Sequence, residues 1–210
     1  MIETKDIAYS YDNSHHLTFP DLKCEANDIL LLIGKSGVGK TTLLHLIGGL
    51  MKSSSGYVKI NDTSLNDLDR SAMDRFRGQH IGIIFQNAHF IKSISVIENL
   101  MLAQSLAGRK TDHSHCMKLL DRLGIGYKAR KRTDSLSQGE KQRLSIARAI
   151  VNNPDVILAD EPTSALDDDN CIEVLKILEA QARDIGAALI IVTHDSRLKD
   201  RINNQIELKS

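Results

Sequence analysis

An α/β fold with a mostly parallel sheet and a helical insert is predicted, on three observations. Short apolar runs alternate with longer amphipathic stretches along the 210 residues, the pattern of strands separated by crossover helices. Three of the runs, at 29–33, 156–159 and 189–192, are apolar over their whole length, as strands buried on both faces must be. Between Ser93 and Asp134 the strand signals stop. There Val96, Ile97, Leu100 and Met101, then Met117, Leu119, Leu120 and Leu123, recur at helical spacing.

Taken in order, strands are expected at 4–9, 29–33, 57–60, 81–85, 156–159, 189–192 and 205–208. The insert divides the chain into an α/β core of residues 1–92 and 135–210 and a helical subdomain of residues 93–134. The Met and Leu stripe of the insert is read as packing. The insert leads into LSQGE at 136–140, where Ser137 and Glu140 have the S-x-x-E spacing of a capping box. A helix start also presents free N–H groups and a positive dipole end, so the same stretch can hold an anion.

Composition narrows the function classes. Lys plus Arg equals Asp plus Glu, so no excess charge points to a nucleic-acid or anionic-membrane partner. The basic run Lys128, Arg130, Lys131, Arg132 is short and reads as a solvated surface turn. Cys24, Cys116 and Cys171 are few and far apart, which makes neither a disulfide framework nor a zinc spacing and suits a reducing compartment. His113, His115 and Cys116 read as a solvated helix start rather than a metal cluster. No run approaches the ~20 apolar residues of a membrane span, and the opening MIETKDIAYSYD has no apolar signal core. A soluble, cytoplasmic protein is expected.

The chemistry begins at residues 34–41, GKSGVGKT, which match G-x-x-x-x-G-K-[ST] between an apolar strand and an amphipathic helix. Gly34, Gly37 and Gly39 let backbone N–H groups close around phosphate oxygens. Lys40 is suited to the β- and γ-phosphates, and the Thr41 hydroxyl to Mg²⁺. Further along, the buried run at 156–159 ends in Asp160 and Glu161. Neighbouring side chains at a strand end splay apart, so Asp160 can hold Mg²⁺ through water while Glu161 takes the proton of the attacking water. Gln86 and His194 also follow apolar runs, placing an amide for Mg²⁺ and water and an imidazole for the γ-phosphate at strand ends, where open α/β sheets bind ligands.

Together these residues resemble the nucleotide-binding subunit of ATP-binding cassette (ABC) transporters, over essentially the whole chain and in order. Residues 34–41 are similar to its Walker A loop, Gln86 to the Q-loop, and 136–140 to the signature. Residues 156–160 resemble Walker B with Glu161 as catalytic glutamate, 164–167 the D-loop, and His194 the switch histidine. The resemblance implies a P-loop NTPase core with an N-terminal antiparallel β region and a helical subdomain. It implies that Tyr11 stacks on adenine and that ATP is bound by Gly34, Lys35, Ser36, Gly37, Val38, Gly39, Lys40, Thr41 and Thr42. It further implies a head-to-tail homodimer with ATP sandwiched, in which Ser137, Gln138 and Gly139 serve the partner's P-loop. The cofactors implied are ATP and Mg²⁺, with Thr41, Gln86 and Asp160 as metal-holding residues and Glu161, His194, Gln86 and Lys40 as catalytic ones. The common family signature is LSGGQ; here Gln138 and Glu140 replace the first glycine and the final glutamine, and Gly139 is kept.

Two roles follow from the resemblance. The first is an ATPase that powers a separate transmembrane permease, lying on the inner face of the cell membrane through that partner. The second is a cell-division-type ATPase that moves a membrane partner without transporting a substrate. LLHLIGGL, GIIFQNAHF and NNPDVILADEPTSALD look most like the group serving lipoprotein release, macrolide or peptide export, and cell division. The stretch from Thr41 to Leu136 is too short for the coiled coils of related chromosome ATPases. The membrane partner is expected to dock between core and insert, near 85–91 and 93–102, with Phe90 and Ile91 either as contacts or as residues buried in the core.

Overall fold

The computed structural model describes residues 1–11, 16–164 and 168–208. Two sheets and a layer of helices are stacked in three layers. The first sheet is antiparallel: β1 (Ile2–Ser10) pairs with β2 (His16–Thr18), β3 (Leu22–Cys24) and β5 (Ser55–Ile60), and β5 in turn with β6 (Thr63–Ser64). The second is wholly parallel, in the order β10-β4-β9-β8-β7. Its strands are β4 (Ile29–Ile33), β7 (Ile81–Ile84), β8 (Val156–Asp160), β9 (Ala188–Thr193) and β10 (Gln205–Glu207).

Side chains alternate across each parallel strand, and both faces are apolar. Leu30 and Leu32 of β4, Val156 and Leu158 of β8, and Ile190 and Val192 of β9 face α1 (Lys40–Ile47) and the antiparallel sheet. Leu31 and Ile33, Ile157 and Ala159, and Leu189 and Ile191 face the helical layer. That layer contains α3 (Val96–Leu106), α4 (His113–Arg122), α5 (Gln138–Ile150) and α6 (Asp168–Ile185). The uninterrupted apolar runs thus have a direct cause.

Helix starts are set by short polar caps. Asp69 accepts the Ala72 N–H to open α2 (Arg70–His80), and Asp112 accepts the His115 N–H to open α4. Ser95 with Glu98 caps α3, and Ser137 with Glu140 caps α5, each as a closed capping box. Asp195 accepts the Arg197 N–H to open α7 (Ser196–Lys199).

Every expected strand is present, within two residues at each end. β2, β3, β6 and α2 were not expected. The three strands have three residues or fewer, and no residue of α2 is buried, so none writes an apolar period into the sequence. His113 does stand exposed at a helix start, but Cys116 one turn on is buried. His115 is also anchored, its Nε2 lying 3.1 Å from the Val151 carbonyl. The basic run is only partly solvated, since Lys128 is half-buried.

Candidate functional site

Four parallel strands deliver the expected site residues to one sheet edge. Ile33 is in register with Thr193, Val192 with Asp160, and Ala159 with Ile84. The chain therefore leaves β4 at Gly34, β9 at His194, β8 at Glu161 and β7 toward Gln86 along the same side. Between them lies a cavity of about 490 Å³. Its lining includes Tyr11, Ser36, Gly37, Gly39, Lys40, Thr41 and Thr42, with Gln86, Glu161 and His194 opposite.

The P-loop conformation explains its glycines. Gly39, the cap of α1, has φ 94°, a left-handed setting that costs an L side chain strain. A Cβ there would also stand 3.1 Å from Leu17 and 3.2 Å from Phe19. At Gly34 a Cβ would meet the Leu208 carbonyl at 2.8 Å. Lys40 folds back over the loop, its Nζ donating to the carbonyls of Gly34 (2.9 Å) and Lys35 (3.1 Å). Val38 turns the other way and packs against the core. Tyr11 is 60% exposed; its hydroxyl lies 2.6 Å from Thr42 Oγ1 and its ring meets Tyr9 edge-on.

The acidic pair divides as its positions dictate. Asp160, the last residue of β8, accepts the Thr41 hydroxyl at 3.1 Å. Burial raises its pKa, with the Thr41 hydrogen bond opposing. A hydroxyl, a buried carboxylate and the nearby Gln86 amide are hard donors of the kind Mg²⁺ takes when substrate phosphates complete its shell. A cation there would also favour the ionised Asp160. These residues fit the metal.

Glu161 has φ 48°, an uncommon setting for a residue with a side chain. It is held there by its amide on the Val192 carbonyl at 2.8 Å and by three donors on its carboxylate. Thr193 Oγ1 donates to Oε2 at 2.9 Å, and the His194 amide to Oε1 at 3.1 Å. The His194 imidazole Nδ1 lies 2.6 Å from Oε1. With two acceptor sites per oxygen, Oε2 takes one bond among the described residues, from Thr193, and its second site can accept a water. Thr193, which holds Glu161, and Leu17, which lines the cavity, had not been expected; the THD run carries the signal for Thr193.

Ser137, Gln138 and Gly139 stand apart, at the start of α5, and none lines the cavity. Gln138 is exposed and helical, so a side chain at this signature position is accommodated. A Cβ on Gly139 would meet nothing within 4 Å, so the fold itself makes no demand for glycine there. Of the 164–167 stretch, the Ser164 hydroxyl donates to the Glu161 carbonyl at 3.1 Å, while Ala165, Leu166 and Asp167 lie outside the described residues. A groove of about 570 Å³ runs past Phe85, Leu106 and Arg148. Ile91 is 49% exposed, whereas Phe90 is partly buried against the core beneath the Arg148 guanidinium, 4.8 Å from its ring centroid.

A family model described as ABC transporter matches residues 17–164. The chain belongs to the ABC transporter family. It is the ATP-binding subunit, an ABC-type ATPase that binds and hydrolyses ATP. The lipoprotein-releasing system ATP-binding protein LolD of Idiomarina loihiensis is 34% identical to it over 216 residues, covering all of this chain and 95% of that protein. LolD of Porphyromonas gingivalis is 34% identical over 200 residues, covering 94% and 91%. Among solved structures, a dimeric post-hydrolysis state of the ATP-binding cassette MJ0796 bound to ADP and Pi superposes with a TM-score of 0.89. That cassette is 29% identical, over 100% of this chain and 94% of the other. CbiO1 of Clostridium perfringens, part of the ABC transporter complex CbiONQ, gives 0.80 at 29% identity, over 92% and 78%. No described helix of this ABC subunit is long and apolar enough to cross a membrane.

Proposed function

We propose that two copies of this chain sandwich two ATP molecules, each P-loop being completed by Ser137, Gln138 and Gly139 of the opposite copy. The observation that carries the reading is the separation within one chain: the signature residues stand at an exposed helix start and none reaches the cavity. A two-fold pair presents the same patches twice and makes two equal sites. The dimeric MJ0796 cassette supports the same arrangement.

Within each site, the backbone of residues 34–39 and the Lys40 ammonium bind the phosphates. Lys40 leaves its two carbonyl acceptors to do so, its ammonium being a point charge on a flexible stem. Tyr11 stacks on the nucleobase, held by its bond to Thr42. Mg²⁺ would be held by Thr41, Asp160 and Gln86, neutralising charge on the phosphate oxygens. Glu161 orients the attacking water through the second site on Oε2 and takes its proton, while His194 and Thr193 fix the carboxylate plane.

The work goes to a membrane subunit that docks in the groove beside Phe85 and Arg148, with the exposed Ile91 as a further contact. In this reading 93–134 is the helical subdomain that follows nucleotide state, and 1–92 with 135–210 is the ATP-binding core. The LolD relatives favour a partner of the lipoprotein-releasing type, which would place the subunit on the inner membrane face. Cross-linking in native membranes followed by mass spectrometry tests this. A permease of a lipoprotein-releasing system is the expected product; a cell-division protein, or no membrane protein, would overturn the assignment.

A further inference from the structure

Among the described residues two helices begin with a capping box, and the two boxes are closed differently. At the start of α3, Glu98 Oε2 accepts both the Ser95 amide and the Ser95 hydroxyl, each at 2.7 Å. The Ser95 proton is spent inside its own box. At the start of α5, Glu140 Oε2 accepts the Ser137 amide at 2.7 Å, and the Glu140 amide reaches Ser137 Oγ at 3.3 Å. Here Oε1 is engaged from outside the box: the Tyr127 hydroxyl donates to it at 2.6 Å and the Lys128 ammonium stands 3.4 Å away.

Tyr127 and Lys128 sit together on a short 3₁₀ turn, Gly126–Lys128, with the ammonium 5.5 Å from the tyrosine ring centroid. Their effect shows in the carboxyl, whose pKa falls to about 2 with the Tyr127 bond as the largest cause and the Ser137 hydroxyl as the smallest. For Glu98 the only bonds lowering its pKa are those of Ser95 itself. A carboxylate in the first turn suits a helix that stands alone. It opposes a helix start that must receive a phosphate, since like charges close together repel.

We propose that Tyr127 and Lys128 are positioning residues of the signature. They draw the Glu140 carboxylate aside and offset its charge, which loosens its hold on the Ser137 hydroxyl proton and leaves that proton available to a phosphate on the partner's P-loop. The proposal rests on the sandwich reading above. It accounts for a carboxylate at this position where the common signature has an amide.

Turnover, dimerisation and ATP affinity of the monomer test it. Steady-state turnover is read in the full-length protein, and Mg-ATP dimerisation by light scattering in Glu161→Gln. Tyr127→Phe and Lys128→Met should each lower kcat about tenfold, the worth of one oriented hydrogen bond. Both should weaken the dimer in the Glu161→Gln background, and leave ATP affinity of the monomer within about twofold. Tyr127 is 72% exposed, so its variant should fold. Adding Glu140→Gln to Lys128→Met should bring kcat back to that of Glu140→Gln alone, because a neutral amide needs no offset. A purely structural turn would not be rescued by removing that charge. If Glu161→Gln dimerises but Tyr127→Phe and Lys128→Met turn over at the parent rate, or the rescue fails, this proposal alone falls. If Glu161→Gln stays monomeric in Mg-ATP, the sandwich reading falls and takes the proposal with it.

Discussion

Replacing Thr193 by Val removes one hydroxyl from the end of β9 and nearly nothing else, since the two side chains have the same shape. That hydroxyl is fully buried and does two things. It donates to Glu161 Oε2 at 2.9 Å and accepts the Asp195 amide at 3.0 Å. A hydrogen bond to a charged group is worth roughly 1.5–3 kcal/mol and a neutral one about 1 kcal/mol. The substitution should therefore cost about 2.5–4 kcal/mol, a fall in Tm of roughly 5–15 °C for a chain of this size. Catalysis should suffer separately. With Oε2 unheld, only the Oε1 bonds from the His194 amide and imidazole remain, and the carboxylate can turn about its last torsion. Losing one orienting bond, about 1.4 kcal/mol, is about tenfold in kcat, with ATP affinity unchanged. Thr193→Ser keeps the hydroxyl and loses a buried methyl, so it should melt lower by about 1 kcal/mol yet turn over near the parent rate. Calorimetry and a phosphate-release assay on the three proteins decide the matter. Parent-level turnover in Thr193→Val would refute the claim that Thr193 sets the Glu161 carboxylate.

Two further outcomes are expected. Tyr11→Ala should weaken ATP by roughly 1–3 kcal/mol, the usual worth of a base on an aromatic face, while Tyr11→Phe keeps the ring and loses only the bond to Thr42; titration calorimetry separates them, and an unchanged Kd in the alanine variant would move base recognition elsewhere. Asp195, held by Arg197, has its carboxyl lowered to about 2 from the usual 3.8. Its contribution is complete above pH 3.8 and is lost as pH falls through about 2. Asp195→Asn should therefore be destabilised relative to the parent near neutrality, and the gap should close on acidification; a gap independent of pH in denaturant melts would contradict the ion pair.

What the sequence made legible follows physical lines. β4, β8 and β9 announce themselves because both faces are buried, so polar residues are excluded until the last residue of β8 and β9. Gly34, Asp160 and His194 stand out because each breaks the pattern where a strand ends, and Gly39 because it stands just before α1. The capping box at Ser137 and Glu140 is a purely local signal, and it forms as spaced. The supporting groups are harder to see. Thr193 meets Glu161 only because β8 and β9 pair with Val192 opposite Asp160, a long-range register that no local window contains. Tyr127 reaches Glu140 across a turn and a second 3₁₀ segment, Thr133–Ser135. Polar α2 and the short strands β2, β3 and β6 leave no periodic trace because they bury little or extend too briefly.

The account as a whole turns on whether ATP joins two copies of this chain through an intact Glu161 site. Glu161→Gln in Mg-ATP, followed by light scattering after size exclusion, measures that directly. The predicted result is a dimer carrying two ATP molecules, monomer when nucleotide is omitted, with turnover lowered by about 10²-fold or more as loss of a general base implies. A protein that binds ATP but stays monomeric, or that hydrolyses it at the parent rate, would contradict the account.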